Sequence, residues 1–125
     1  MAEDTMKAIL IVDDDIGFIR FLVEHLKDEY TIFAAKNGHI AINMAMNNRP
    51  DLILMDVNMP DMTGHEVLMA LQFMPETKDI PIIFISGNDH PEIKETGLKI
   101  GAVDHIHKNM GIDAIKNSIK KQLCT

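Results

Sequence analysis

The 125-residue chain has a single cysteine, Cys124, one position before its last residue. No intramolecular disulfide can form, so a reducing cytoplasm is the expected compartment and Cys124 reads as a spectator thiol. Long hydrophobic runs are missing too: no apolar stretch approaches the roughly 18 residues a membrane span needs. The start, Met1-Ala2-Glu3-Asp4, is acidic where a signal peptide is basic. There is no basic stripe either. Twelve Lys and Arg against nineteen Asp and Glu leave a net charge of −7, which disfavours direct nucleic-acid binding. The one basic grouping, Lys116, Lys120 and Lys121, reads as a solvated face near a helix C-terminus, where positive charge suits the macrodipole. Repeats, linkers and low-complexity stretches are absent, so one domain over residues 1–125 is expected. Apolar residues at 46% and charged residues at 25% give it a buried core and exclude disorder.

What the chain does contain is an alternation of two periods. Ala8-Ile9-Leu10-Ile11-Val12 is a short β-branched run cut off by acids, which predicts a buried strand. Ile19, Leu22, Val23 and Leu26 then recur at helical spacing behind Asp14 and Asp15, both candidate N-caps. The pattern repeats with a strand at 30–34 and a helix through Ile40, Ala41, Met44 and Ala45, closed by Asn47, Asn48 and Pro50. It repeats again with a strand at 52–55 and a helix opened by a Thr63/Glu66 capping box and running through Val67, Leu68, Leu71 and Met74. A fourth strand at 81–85 precedes a helix from Pro91 towards Gly101. The fifth strand, 104–107, is the least apolar, and Ile112, Ile115, Ile119 and Leu123 stripe a last helix. Five strands alternating with five helices imply crossovers and a parallel sheet within a three-layer α/β/α sandwich. Met44, Met55, Met69 and Met74 are expected on apolar faces as flexible gap fillers.

In open parallel sheets, ligands bind beyond the carboxyl ends of the strands. Asp13 and Asp14 follow the first strand, Asp56 the third, Ser86 and Gly87 the fourth, and Lys108 the fifth. Singly, each has a bland alternative, since acids after strands cap helices, serines make turns and lysines are solvated. Together, three carboxylates on one edge repel one another and call for a cation, and hard oxygens favour Mg²⁺. One carboxylate can then act as a nucleophile while the hydroxyl and ammonium neutralise a phosphoryl group.

At this point the sequence resembles the receiver domains of two-component response regulators over essentially its whole length. The matching stretches run from Ile9 to Asp15, Asp51 to Gly64, Pro81 to Gly87 and Gly101 to Lys108. The resemblance implies a doubly wound sheet of strand order 2-1-3-4-5, which the wider flavodoxin-like group also adopts. It implies Asp56 as the acceptor of a phosphoryl group from a phosphohistidine, and Mg²⁺ held by Asp14 and Asp56 carboxylates, the Asn58 backbone carbonyl and Asp13 through water. Ser86 and Lys108 would hold phosphoryl oxygens, and the small Gly87 would leave the group accessible. Implied partners are a sensor histidine kinase or phosphotransfer protein, and a downstream protein or output domain meeting the face of helix four, strand five and helix five. A monomer or weak dimer is expected.

Two positions depart from the family pattern. His105 stands where Tyr or Phe is usual, on the ring that turns inward in the phosphorylated state, so this switch position carries a group that also titrates near neutrality; the competing reading is a partly exposed surface histidine. Asn109 replaces the proline that usually follows the lysine through a cis bond. A cis bond to a non-proline residue costs about 2.5 to 4 kcal/mol, so a trans Lys108–Asn109 bond is expected, with Gly111 absorbing the altered loop path.

Other readings fare worse. Counting from Asp13, an EF-hand loop would need its glycine one place later than Gly17, and the preceding strand is wrong. A flavin binder needs a phosphate-cradling loop where three aspartates stand. A haloacid-dehalogenase-like phosphatase would lack room for its usual cap. A receiver fold kept purely for docking is the main non-enzymatic competitor, opposed by the intact Asp13, Asp14, Asp56, Ser86 and Lys108. His25, His39, His65 and His90 read as surface residues rather than phosphodonors.

Overall fold

The computed structural model describes residues 6–87 and 91–123. His90, Cys124 and the acidic start lie outside them. The elements are β1 (Ala8–Val12), α1 (Ile16–Leu26), β2 (Thr31–Ala35), α2 (Gly38–Asn48), β3 (Leu52–Asp56), α3 (Gly64–Gln72), β4 (Ile82–Ser86), α4 (Pro91–Ile100), β5 (Asp104–His107) and α5 (Ile112–Leu123). The strands form one parallel sheet in the order β2-β1-β3-β4-β5. The second strand starts one residue later than the sequence pattern suggests, and α3 stops at Gln72, leaving Met74 in the following turn.

Every residue of β3 and β4 is buried, because helices cover both faces of the sheet's centre, whereas β2 and β5 at the edges are partly open. Leu10, Val12, Ile53, Met55, Ile82 and Phe84 point to one face, against Ala41, Ala45, Val67, Leu68 and Leu71 of α2 and α3. Ile9, Ile11, Leu52, Leu54, Ile83, Ile85 and Ile106 point to the other, against Ile19, Leu22 and Leu26 of α1 and Ile115 and Ile119 of α5. Each such side chain contributes about 1.5 to 3 kcal/mol by leaving water, so these two stripes decide which way every strand faces. Met69 and Ile40, expected on buried faces, are instead 49% and 38% exposed. The buried face of α3 is set by Gly64, Val67, Leu68 and Leu71, and Met69 points off that arc.

Helix starts are fixed by side-chain caps. Asp15, not Asp14, accepts the Phe18 N–H at 3.2 Å to begin α1, and Asn37 accepts the Ile40 N–H at 2.8 Å to begin α2. The Thr63/Glu66 capping box forms as the sequence indicates, at 3.1 and 2.9 Å. Arg49 takes a left-handed conformation (φ 43°) to close α2 before Pro50. Among the described residues no helix is long and apolar enough to cross a membrane.

Candidate functional site

Parallel pairing in register brings the ends of β1, β3, β4 and β5 to one edge, and the sheet order places Asp13 and Asp56 on neighbouring strands. Asp13 extends the ladder by donating its N–H to Ala35 O at 3.1 Å, and its side chain is buried. Its Oδ1 accepts the Asp15 N–H at 2.9 Å, which turns the chain into α1 and leaves Asp14 exposed at the mouth. Asp56 is the last residue of β3 and is 8% exposed. Carboxylate oxygens of Asp13, Asp14 and Asp56 all lie within 4.8 Å of one another.

A close approach of α3 to β3 holds this arrangement together. Gly64 donates its N–H to Val57 O at 2.7 Å, and a Cβ at Gly64 would stand 2.5 Å from Asp56 O and 2.9 Å from the Phe84 ring. Only glycine lets the helix begin so near the acidic strand end. Asp61, which the sequence reading passed over, fastens the same loop to α2: its carboxylate accepts the N–H groups of Gly38 at 2.9 Å and His39 at 3.0 Å and meets His39 Nδ1 at 2.5 Å. The backbone N–H of Gly38, followed by the other bonds, holds Asp61 far below the usual carboxylate range.

Burial, and next the charge of Asp13, push the Asp56 carboxyl up to about 6, against the opposing effects of Lys108 and a backbone hydrogen bond from Asn58. Among the described residues, three carboxylates at this edge face the one ammonium of Lys108. Lys108 Nζ sits 2.8 Å from Asp13 Oδ2 and 4.6 Å from the centroid of the Phe18 ring. Burial alone would lower its pKa, but the Asp13 hydrogen bond and the charges of Asp13 and Asp56 raise it, so the ammonium stays charged. Ser86 ends β4 fully buried, Gly87 is exposed, and a Cβ added at Gly87 would meet no atom within 4 Å, so open space adjoins the β4 end.

The Lys108–Asn109 bond is trans, and no described peptide bond is cis. The reason proline is dispensable here is local. Lys108–Met110 forms a single 3-10 turn whose cap is His107, with its Nδ1 accepting the Asn109 N–H at 3.3 Å, and proline has no such N–H to donate. Gly111 follows at φ 90°, as the altered loop path requires.

His105 lies beside Phe84 in the β4–β5 register, half-buried, with a buried Nδ1 that has no hydrogen-bond partner. His65, expected at the surface, is half-buried: its ring meets Phe84 edge-on at 5.1 Å and its Nε2 is buried without a partner. Gly97 of α4 makes room for this, since a Cβ there would stand 2.9 Å from Phe84 and 3.5 Å from His65 Nε2. His25 and His39 are exposed, as expected. Phe18 and His65 were missed because each owes its role to a residue far along the chain, Lys108 and Gly97. The only sequence signal for Phe18 is its place in the first turn after the acidic triplet.

Comparison with known proteins agrees with this geometry. The family described as response regulator receiver domain matches residues 9–120. A probable cyclic di-GMP phosphodiesterase of Vibrio cholerae is 37% identical over 92% of this chain, which spans only 26% of that protein's length. Sporulation initiation phosphotransferase F of Bacillus subtilis is 35% identical over 92% of each chain. The crystal structure of the chemotaxis response regulator CheY4 of Vibrio cholerae superposes with a TM-score of 0.88 at 32% identity, covering 95% of this chain and 100% of that one. A match running from β1 into α5, on the same fold, places the chain among the response regulator receiver domains of two-component signalling.

Proposed function

We propose that Asp56 is the residue that accepts the phosphoryl group in this receiver domain. The observation that carries the reading is the convergence at one strand edge of three carboxylates within 4.8 Å, one of them paired with Lys108 at 2.8 Å. Asp56 is the member on the central strand, and it emerges beside the open space at Gly87.

The donor set fits Mg²⁺. Its ligands are hard oxygens, and three carboxylates within 4.8 Å of one another repel unless a cation joins them. Asp14 and Asp56 would hold the ion by carboxylates, Asn58 by its backbone carbonyl, and Asp13, already paired with Lys108, through water. When bound, Mg²⁺ supplies charge neutralisation to the phosphoryl oxygens. The chain does the rest. An Asp56 carboxylate oxygen attacks the phosphorus of a phosphohistidine on a sensor kinase or phosphotransfer protein. The P–N bond breaks, its electron pair stays on the imidazole nitrogen, and an acyl phosphate forms. The Lys108 ammonium and the Ser86 hydroxyl hold phosphoryl oxygens in place. Later attack by water on phosphorus breaks the P–O bond and returns the carboxylate and inorganic phosphate.

The readout is a change of the α4–β5–α5 face, where Leu98 and Val103 are already 41% and 40% exposed and His105 takes the ring position of the switch. Residues 1–125 act as one domain, in the cytoplasm, as a monomer or weak dimer, through protein contacts rather than nucleic acid. Retention of the fold for docking alone is the rival reading, and the buried, charge-strained Asp56 tells against it, since a docking module has no use for a carboxylate in that position. Incubation with acetyl phosphate and Mg²⁺ followed by intact mass spectrometry tests the proposal. One phosphoryl increment is expected, lost with a chelator and lost in Asp56→Asn. Labelling of that variant at the wild-type level overturns it.

A further inference from the structure

Asp13, Asp15, Phe18 and Lys108 close a circuit. The Asp15 N–H donates to Asp13 Oδ1 at 2.9 Å, the Phe18 N–H donates to Asp15 Oδ1 at 3.2 Å, the Phe18 ring lies 4.6 Å below Lys108 Nζ, and that ammonium returns to Asp13 Oδ2 at 2.8 Å. The ring is held from behind as well: Phe18 stacks on Phe21 at 5.9 Å and 23°, Phe21 meets His25 at 4.6 Å, and Phe18 packs against the Ile/Leu core under α1. On the other side, Lys108 springs from the 3-10 turn fixed by His107.

An ammonium tied only to Asp13 would have to break an ion pair and cross a gap to serve a phosphorylated Asp56. An ammonium lying on an aromatic face keeps one attractive surface while it exchanges one oxygen partner for another, because the ring quadrupole acts without a directional hydrogen bond. Lys108 feels Asp56 already, as the charge of Asp56 helps to raise its pKa.

We propose that Phe18 is a positioning residue: its ring is the surface on which the Lys108 ammonium pivots between Asp13 and the phosphorylated Asp56. The proposal rests on Asp56 being the acceptor. It concerns how the lysine is delivered, and it gives a role to an α1 aromatic that the acidic motif does not include.

The test combines a spectroscopic and a kinetic arm. In the first, the Lys108 ε-methylene protons of the unphosphorylated protein are observed by NMR. They should show an upfield ring-current displacement that disappears in Phe18→Leu and persists in Phe18→Tyr. In the second, labelling by acetyl phosphate in Mg²⁺ is timed by intact mass. Phe18→Leu should slow it by about two- to five-fold, the worth of one partly exposed cation–π contact, while Phe18→Tyr stays near wild type. On a Lys108→Gln background, Phe18→Leu should add no further loss, which a purely structural role would not produce. Wild-type labelling by Phe18→Leu, equal slowing by Leu and Tyr, additive losses on Lys108→Gln, or the absence of a ring-current displacement each overturn it. A wild-type protein that takes no phosphoryl group overturns the acceptor reading and this one with it. Labelled wild type with an indifferent Phe18 overturns this one alone.

Discussion

The two faces of the sheet are built from different materials. Under α1 and α5, every buried core residue is Ile or Leu. Under α2, α3 and α4, the buried set mixes four alanines with Val, Leu, Ile53, Ile82, Met55 and Phe84, and half-buried Met44, Met59, Met62 and Met74 fill in around it. The only buried residue of α4 is Gly97, and among the described residues the two buried, unpartnered histidine nitrogens belong to His65 and His105, next to Phe84. Interlocked branched aliphatics have few alternative packings, whereas small residues, methionines and unsatisfied nitrogens leave other arrangements within reach. The site sits where these faces meet: Lys108, paired with Asp13, lies on Phe18 from the aliphatic side, and Asp56 abuts Gly64 from the mixed one. We infer that the aliphatic face holds the chemistry still while the mixed face moves in response to it.

Core truncation should separate the two faces most strongly. Leu22→Ala or Ile115→Ala is expected to cost about 3 kcal/mol in chemical denaturation, and Met74→Ala, at the half-buried margin of the mixed face, about 1 kcal/mol. Equal costs would erase the distinction. Gly97→Ala should come next. Its helix-propensity gain of nearly 1 kcal/mol is outweighed by a Cβ 2.9 Å from Phe84, where overpacking costs about 1 to 3 kcal/mol. A net loss is expected, with α4 amides exchanging faster by hydrogen exchange while those of α1 do not change.

The histidines give the mixed face a pH dependence. Burial holds His65 below the ordinary imidazole value, and burial followed by Lys94 does the same for His105. The unfolded chain therefore binds these protons more readily than the folded one, so their contribution is whole above the unfolded value near about 6.5 and is lost as pH falls below it. Asp56 runs the other way: raised to about 6, its contribution is present below the unfolded value and is lost as pH rises through its folded one. In an Asp56→Asn background and without divalent ions, stability should fall on acidification below neutrality, and His105→Phe should flatten that fall. A profile unchanged by His105→Phe would remove the histidine from the account. Asn109→Pro should have the smallest effect, neutral or a loss below about 1 kcal/mol for the forfeited bond to His107. A rise in melting temperature would show that the trans turn is not the preferred one.

The strands, helices and acidic edge were legible in the sequence because each depends on local periodicity or on the residue next after an apolar run, whereas the sheet order was implied by the family resemblance. Asp13, Asp14, Asp56, Ser86 and Lys108 all lie where that reading puts them. What was not legible depended on packing between distant segments. Met69 looked like a core residue because it is apolar, yet the arc of Gly64, Val67, Leu68 and Leu71 turns it outward. His65 looked like a surface residue because it is polar, yet Gly97 lets α4 close over it. The loss of proline at Asn109 became intelligible only once His107 was seen to cap the turn.

The central claim is that the phosphoryl group resides on Asp56 and on no other carboxylate of the edge. Reductive trapping tests it most directly: borohydride converts an aspartyl phosphate to homoserine, which peptide sequencing by mass spectrometry locates. The account predicts homoserine at position 56 alone, after treatment with acetyl phosphate and Mg²⁺. Homoserine at position 13 or 14, or undiminished trapping elsewhere in Asp56→Asn, would contradict it.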